Sequence, residues 1–311
     1  MHSTGIAIPA RTNLTIAAGV AAMVLGALFV VPWLLWQGHD LAAWLLVPFA
    51  LAAIPHWALV HEAVHRHLHP DPATNEGLGR HLAILFLAPF EALRFGHLSH
   101  HALNARPSER PEIYDPRRRS HLRAAIEFYA RLLGGLNLVE IASGPISLLP
   151  RRLLRPMVRR LFYDGTADAY MADRAEHVLL APATLRRIRC DALAILALLG
   201  TGFIAYGDDW PVLLVALLGR AFVVSIMDNA PHYGGPLAQP DQGYDMHLPK
   251  QLAGLILHTN LHGTHHRHPN LPWSALPTAF AADGRAHEGS FLLRPWRQLG
   301  GPVPIDDVVR R

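Results

Sequence analysis

The sequence predicts an all-α integral membrane protein: two transmembrane helical hairpins, about four spans in all, beneath a cytoplasmic helical cap that carries a histidine-rich metal site. Three observations predict it. The chain of 311 residues is 51% apolar and only 17% charged, against about 25% charged in ordinary soluble domains. Its longest apolar runs fall in two closely spaced pairs. Of its 21 histidines, eight gather into short patterned clusters, where the packing of a globular core would not require them.

The first run, residues 14–36 (LTIAAGVAAMVLGALFVVPWLLW), contains no charge. At about 1.5 Å per residue it is long enough to cross a hydrocarbon core of roughly 30 Å. It exceeds the apolar segment of a signal peptide, and no small-residue cleavage site precedes the next run. After the polar turn QGHD comes a second span at residues 41–60, which leads directly into HEAVH. The second pair, residues 192–206 and 211–227, is separated by the acidic turn GDDW. Between the pairs lie residues 82–95, too short to span and assigned to the interface, and residues 132–149, open between a span and an interfacial segment.

Orientation follows from the cations. Lys250 is the only lysine, and the arginines cluster at residues 106–119, 151–160 and 186–189, whereas the two tight turns carry neither Lys nor Arg. The positive-inside rule makes the arginine-flanked ends cytoplasmic. That explains the basic pI of about 9.6 without nucleic acid, although contact with anionic lipid headgroups stays open. Arg220, in the fourth span, is costly in lipid unless it faces protein; a structural role is expected, with Glu140 or a substrate headgroup as the possible partner. Cys190 is the single cysteine, which excludes an intrachain disulfide and thiolate metal clusters, so any metal must be held by nitrogen or oxygen. Without repeats or low-complexity segments, residues 1–311 read as one domain.

Three clusters share a format: HEAVH (His61, His65), HLSHH (His97, His100, His101) and HGTHH (His262, His265, His266). On a helix, residues four apart lie about 40° apart around the axis and residues three apart about 60°, so each cluster projects its imidazoles from one face. This is ligand geometry, suited to iron, zinc, copper or manganese. His232, in DNAPHYG at the end of the fourth span, is a candidate ninth ligand. Asn229, one turn earlier, is a candidate to support a ligand or hold a water, and a turn residue is the equal alternative. His67, His69 and His268 fall just outside the patterns, while His56, His121 and His177 read as isolated core or interfacial histidines.

The order HxxxH, HxxHH and a distant HxxHH, at residues 61–65, 97–101 and 262–266, resembles the membrane fatty acid desaturase and hydroxylase superfamily over roughly residues 40–275. The resemblance implies a di-iron centre that uses O2, held by His61, His65, His97, His100, His101, His262, His265 and His266, with His232 as the extra histidine that many members place after the fourth helix. Glu62 and Asn229 would support these ligands. The expected reaction is insertion of a double bond into the alkyl chain of an acyl lipid or acyl thioester. A carotenoid or lipid hydroxylase or ketolase of the same superfamily is the near alternative, since the HPNLP ending of the third cluster is similar to both. No His-Pro-Gly-Gly haem motif is present, so electrons are expected from a separate ferredoxin, rubredoxin or cytochrome b5-type donor with its reductase.

Two readings of other classes compete. HEAVH is also H-E-x-x-H, the zinc metalloprotease motif with Glu62 as general base, but it would leave HLSHH and HGTHH unexplained. A metal transporter or sensor would place its histidines within the spans, not at their ends. A composition rich in Ala, Arg and Leu and scarce in Lys suggests a GC-rich bacterial genome, hence an inner-membrane protein with its active site on the cytoplasmic side.

Overall fold

The computed structural model describes residues 6–163, 169–237, 239 and 241–309. Among them the chain is mostly helical, with one short parallel pairing of β1 (Ile113–Tyr114) and β2 (Val303–Pro304). Three helical stretches are long and apolar enough to cross a membrane: Ala10–Trp36, Asp40–Val64 and Pro182–Asn229. A bent pair, Pro72–Phe86 with Phe90–Leu103, would make a fourth.

Helix α1 (Ala10–Trp36) widens into a π-helical turn at Gly26–Val30, just before Pro32. The Val31 N–H bonds the Gly26 carbonyl; continued in that register, the Ala27 carbonyl would face Pro32, which has no N–H to give. The Tyr206 hydroxyl supplies the missing donor, 2.7 Å from the Ala27 oxygen. A buried carbonyl released by one span is thus satisfied by another.

Helix α2 (Asp40–Val64) starts in 3₁₀ form ahead of Pro48 and ends at the first histidine cluster. Arg66 adopts a left-handed conformation (φ 65°), its N–H bonds the Ala63 carbonyl, and the His67 N–H bonds the Glu62 carbonyl. These two bonds are a Schellman cap, built here without the usual glycine.

Asp71 starts α3 (Pro72–Phe86) by accepting from the Thr74 N–H at 2.7 Å, with Pro72 pre-set for the first turn. Leu87 (φ 74°) closes it with a second Schellman pattern, Leu87 N to Ile84 O and Ala88 N to Ala83 O. Pro89 follows, and α4 (Phe90–Leu103) departs at 97°. Residues 82–95 are therefore not one interfacial segment, as expected, but the end of one helix and the start of the next. Asp191, fully buried, fixes this corner by accepting from Arg80 on α3 at 2.5 Å and from the Phe90 N–H at 3.3 Å.

Helix α5 (His121–Ala130) is capped by Ser120. A kink at Gly134 (φ 123°) separates it from α6 (Leu136–Ser147), so the ambiguous run at 132–149 begins in this kink and continues as a helix. Helices α7 (Arg151–Leu161) and α8 (Tyr170–Leu179) are joined by Arg155 and Arg159, each bonded to Glu176.

Helix α9 (Pro182–Tyr206) begins ten residues before the expected span at 192, because arginine is a good helix former and residues 186–189 simply continue the helix past its apolar part. Gly207 (φ 53°) then turns the chain into α10 (Trp210–Asn229). Leu198 and Leu217 pack in one cluster around Leu28, Phe49 and Leu213. Arg220 on α10 is buried, but its partner is not Glu140: it donates to the Phe49 carbonyl at 3.3 Å and lies 2.9 Å from His56 Nδ1. The guanidinium also stands over the Phe49 and Phe86 rings, which lowers the cost of its burial.

The remaining helices are α11 (Lys250–Leu255), α12 (His262–Arg267), α13 (Leu276–Ala282) and α14 (Ile305–Val309). Trp273 is buried. Its indole N–H donates to Asn13 Oδ1 at 2.8 Å and its backbone N–H to Glu62 Oε2 at 3.2 Å, so it pins the third histidine cluster to α1 and α2.

Candidate metal centre

Each histidine cluster reaches the centre on a helix. His61 lies in the last turn of α2 and His65 is its C-terminal cap, while His97, His100 and His101 end α4. His262, His265 and His266 occupy α12, a helix too short to be stable alone. Asp245, fully buried, holds it by accepting from the Thr264 N–H at 2.7 Å and from Arg267 at 2.9 Å. Gly263 is required there: a Cβ would stand 2.2 Å from the Gly243 carbonyl oxygen.

The nine histidines singled out in the sequence come together as two groups. His61, His65, His97, His101 and His265 form one; His100, His232, His262 and His266 form the other. Within each group one nitrogen per residue lies within 4.8 Å of all the rest. In the first, the Nε2–Nε2 separations are 3.0 Å for His61 with His265, 2.9 Å for His65 with His97, and 3.0 Å for His101 with both His97 and His265. In the second they are 3.1 Å for His100 with His232, 2.8 Å for His232 with His262, and 3.0 Å for His262 with His266.

Those separations carry chemical information. With metal–nitrogen bonds of about 2.1 Å, ligands at right angles stand roughly 3.0 Å apart and tetrahedral ligands roughly 3.4 Å apart. The observed pairs match the right-angled arrangement. Five imidazoles also exceed the four of a structural zinc site. The two nitrogen-rich donor sets fit a transition metal ion.

Protonation is arranged to suit. Burial, reinforced by neighbouring imidazoles, pushes His232, His262, His265 and His266 well below the ordinary imidazole pKa, so each is the neutral form that binds metal. His232 Nδ1 donates to the Gln242 carbonyl at 2.9 Å, leaving Nε2 free toward the other three. Glu62 Oε1 lies 3.7 Å from His61 Nδ1, and its other oxygen accepts from the Trp273 backbone. Asn229 does not reach these rings with its amide nitrogen, which donates to Gln298 Oε1 at 3.2 Å. His56 lies apart with Arg220, and His268 bonds Asp283 at 3.0 Å.

Several supporting residues gave no signal in the sequence. Arg110, almost wholly buried, donates to Glu112 Oε1 at 2.8 Å, to the Gly235 carbonyl at 3.2 Å and to the His232 carbonyl. It holds the loop that presents His232. Asn75 accepts from the Leu68 N–H at 3.0 Å and donates to the Ala63 carbonyl at 2.9 Å, fixing the turn after the first cluster. Only the long run of prolines and charges around Arg110 could have marked that segment as more than a loop.

A cavity of about 600 Å³ adjoins both groups. His61, His97, His100, His232, His262 and His265 form part of its wall, and the rest is mainly apolar, including Trp57, Leu136, Val139, Met157, Ile188 and Val224. Glu109, Arg131, Glu140 and Asp228 are the charged exceptions beside Glu62. The chamber is mainly apolar where it meets the histidines, a lining that suits an apolar ligand.

No curated protein sequence matches the chain. The family profile described as fatty acid desaturase, however, matches residues 41–292, a segment that holds all nine clustered histidines and the walls of the apolar cavity. The chain belongs to the fatty acid desaturase family.

Proposed function

We propose that this protein is an O2-dependent di-iron oxidase of the membrane that inserts a double bond into the alkyl chain of a fatty acyl lipid or thioester. The observation that carries the reading is the division of nine clustered histidines into groups of five and four beside an apolar cavity. His61, His65, His97, His101 and His265 would hold one iron and His100, His232, His262 and His266 the other. When bound, the iron pair supplies the activation of O2 and the removal of hydrogen from an unactivated C–H bond, chemistry that no acid, base or nucleophile of the chain can perform.

The residues do the rest. Trp57, Val139 and Val224 exclude water and align the chain, and the placement of its carbons against the histidine wall selects the bond that reacts. Glu62 and the Gln242 carbonyl orient His61 and His232. On this reading one domain spans the chain, with four membrane-crossing segments as two hairpins, the histidine-bearing helices as a cytoplasmic cap, and the arginine-rich ends facing the cytoplasm of a bacterial inner membrane. A separate ferredoxin, rubredoxin or cytochrome delivers the electrons.

The test is metal content followed by product. Protein purified in detergent should hold close to two irons per chain, and expressing cells should gain unsaturated acyl chains that a His265→Ala variant does not produce. One zinc without iron would overturn the proposal. Hydroxylated chains or modified carotenoids in place of alkenes would retain the iron pair but replace the desaturase assignment.

A further inference from the structure

A second cavity, of about 350 Å³, lies at the N-terminal end of α9. Arg151, Arg186 and Arg189 line it together with Leu180, Leu185 and Leu193, and no carboxylate does. Arg151 and Arg186 are exposed, and among the described residues neither takes a partner. Arg189 is oriented by donating to the Ser147 and Leu149 carbonyls, each at 2.8 Å. Three arginines thus line one small space together with three leucines.

The position of this space relates it to the bilayer. Helix α9 has 25 residues, about 37 Å at 1.5 Å per residue, whereas a hydrocarbon core is about 30 Å thick. If Tyr206 marks one face of the core, the other falls near Arg187, about twenty residues back. Arg186 and Arg189 then stand in the headgroup layer. Leu193, one turn deeper, is 57% exposed and lies where an acyl chain begins.

We propose that this cavity binds an anionic phospholipid, its phosphate held by Arg151, Arg186 and Arg189 and its first methylenes lying against Leu193. Guanidinium groups match phosphate oxygens in planar, paired hydrogen bonds, and the three leucines select a lipid over a free anion. Leu180 and Leu185 also line the large cavity, so the bound lipid shares a wall with the substrate chamber. The inference rests on α9 crossing the membrane and not on the identity of the metal.

The test uses full-length protein in nanodiscs of equal parts phosphatidylglycerol and phosphatidylcholine, with retained lipid counted by native mass spectrometry. The wild type should keep phosphatidylglycerol over phosphatidylcholine by about tenfold. The Arg151→Gln/Arg186→Gln double variant should keep the two about equally while holding its unfolding temperature, since neither arginine bonds protein. Millimolar inorganic phosphate should not displace the retained lipid. Equal retention by the wild type, or an undiminished preference in the variant, would overturn the proposal. Displacement by inorganic phosphate would overturn the lipid assignment in favour of a free-anion site. Should the double variant fail to fold, Arg186→Gln alone gives the same readout.

Discussion

His61 and His265 lie 204 positions apart in the chain, yet their Nε2 atoms stand 3.0 Å apart. The first and last histidine clusters therefore close one five-histidine group between them, with His65, His97 and His101 completing it.

The two groups should fail separately. His232→Ala removes one of four nitrogens from the second group and none from the first, so iron should fall from about two per chain toward one, with loss of activity. His65→Ala should remove iron from the other group by the same logic. Elemental analysis with an iron-sensitive spectroscopy on both variants checks this; loss of all iron in both would show that the groups bind as a single unit.

Arg110 is buried against Glu112 and two backbone carbonyls. Arg110→Leu leaves the Glu112 carboxylate buried without its counter-charge, a change that typically costs about 3–5 kcal/mol. Thermal unfolding should show that loss, and the surviving protein should bind iron weakly in the His232 group because the loop presenting that residue is released.

Tyr206→Phe removes only the hydroxyl that serves the Ala27 carbonyl. An unsatisfied buried acceptor costs about 1–3 kcal/mol. The unfolding temperature should drop while iron content stays at the wild-type level, since the π turn lies far along α1 from the histidines. Trp273→Phe should behave differently. It loses the bond to Asn13, again about 1–3 kcal/mol, but Trp273 also orders the segment after α12, so iron affinity should fall with stability.

Acid should loosen the same region. Hydrogen bonds from Arg267 and His268 hold the Asp283 carboxyl below its ordinary pKa, so the folded state favours its charged form. Stability from this group is present above the unfolded value of about pH 4 and is lost as pH falls through the lower folded value. Asp283 is largely solvent-exposed, so the effect is small. Asp283→Asn should flatten the stability profile below about pH 4, as measured by denaturant unfolding at a series of pH values.

The helical class and the nine clustered histidines were legible because hydropathy and short-range histidine spacing are local properties. The corner at Leu87 was not, since a left-handed residue at a helix end is expected to be glycine or asparagine and here is leucine. Hydropathy also truncated α9, whose arginine-rich first turns are as helical as its apolar part. Arg220 was read as structural but without its partners, because His56 and Phe49 lie far away in sequence. Arg110, Glu112 and Asp245 were invisible because a charged residue in a loop looks solvated until the fold encloses it.

The dispersal of the clustered histidines along the chain governs how the protein is made. Residues up to the end of α10 can emerge from the ribosome and enter the bilayer carrying His61, His65, His97 and His101, but the group they belong to stays incomplete until His265 is synthesised. The second group waits likewise for His262 and His266. A nascent or truncated chain thus cannot assemble either full histidine group, and both are withheld until nearly the whole membrane body exists to enclose them.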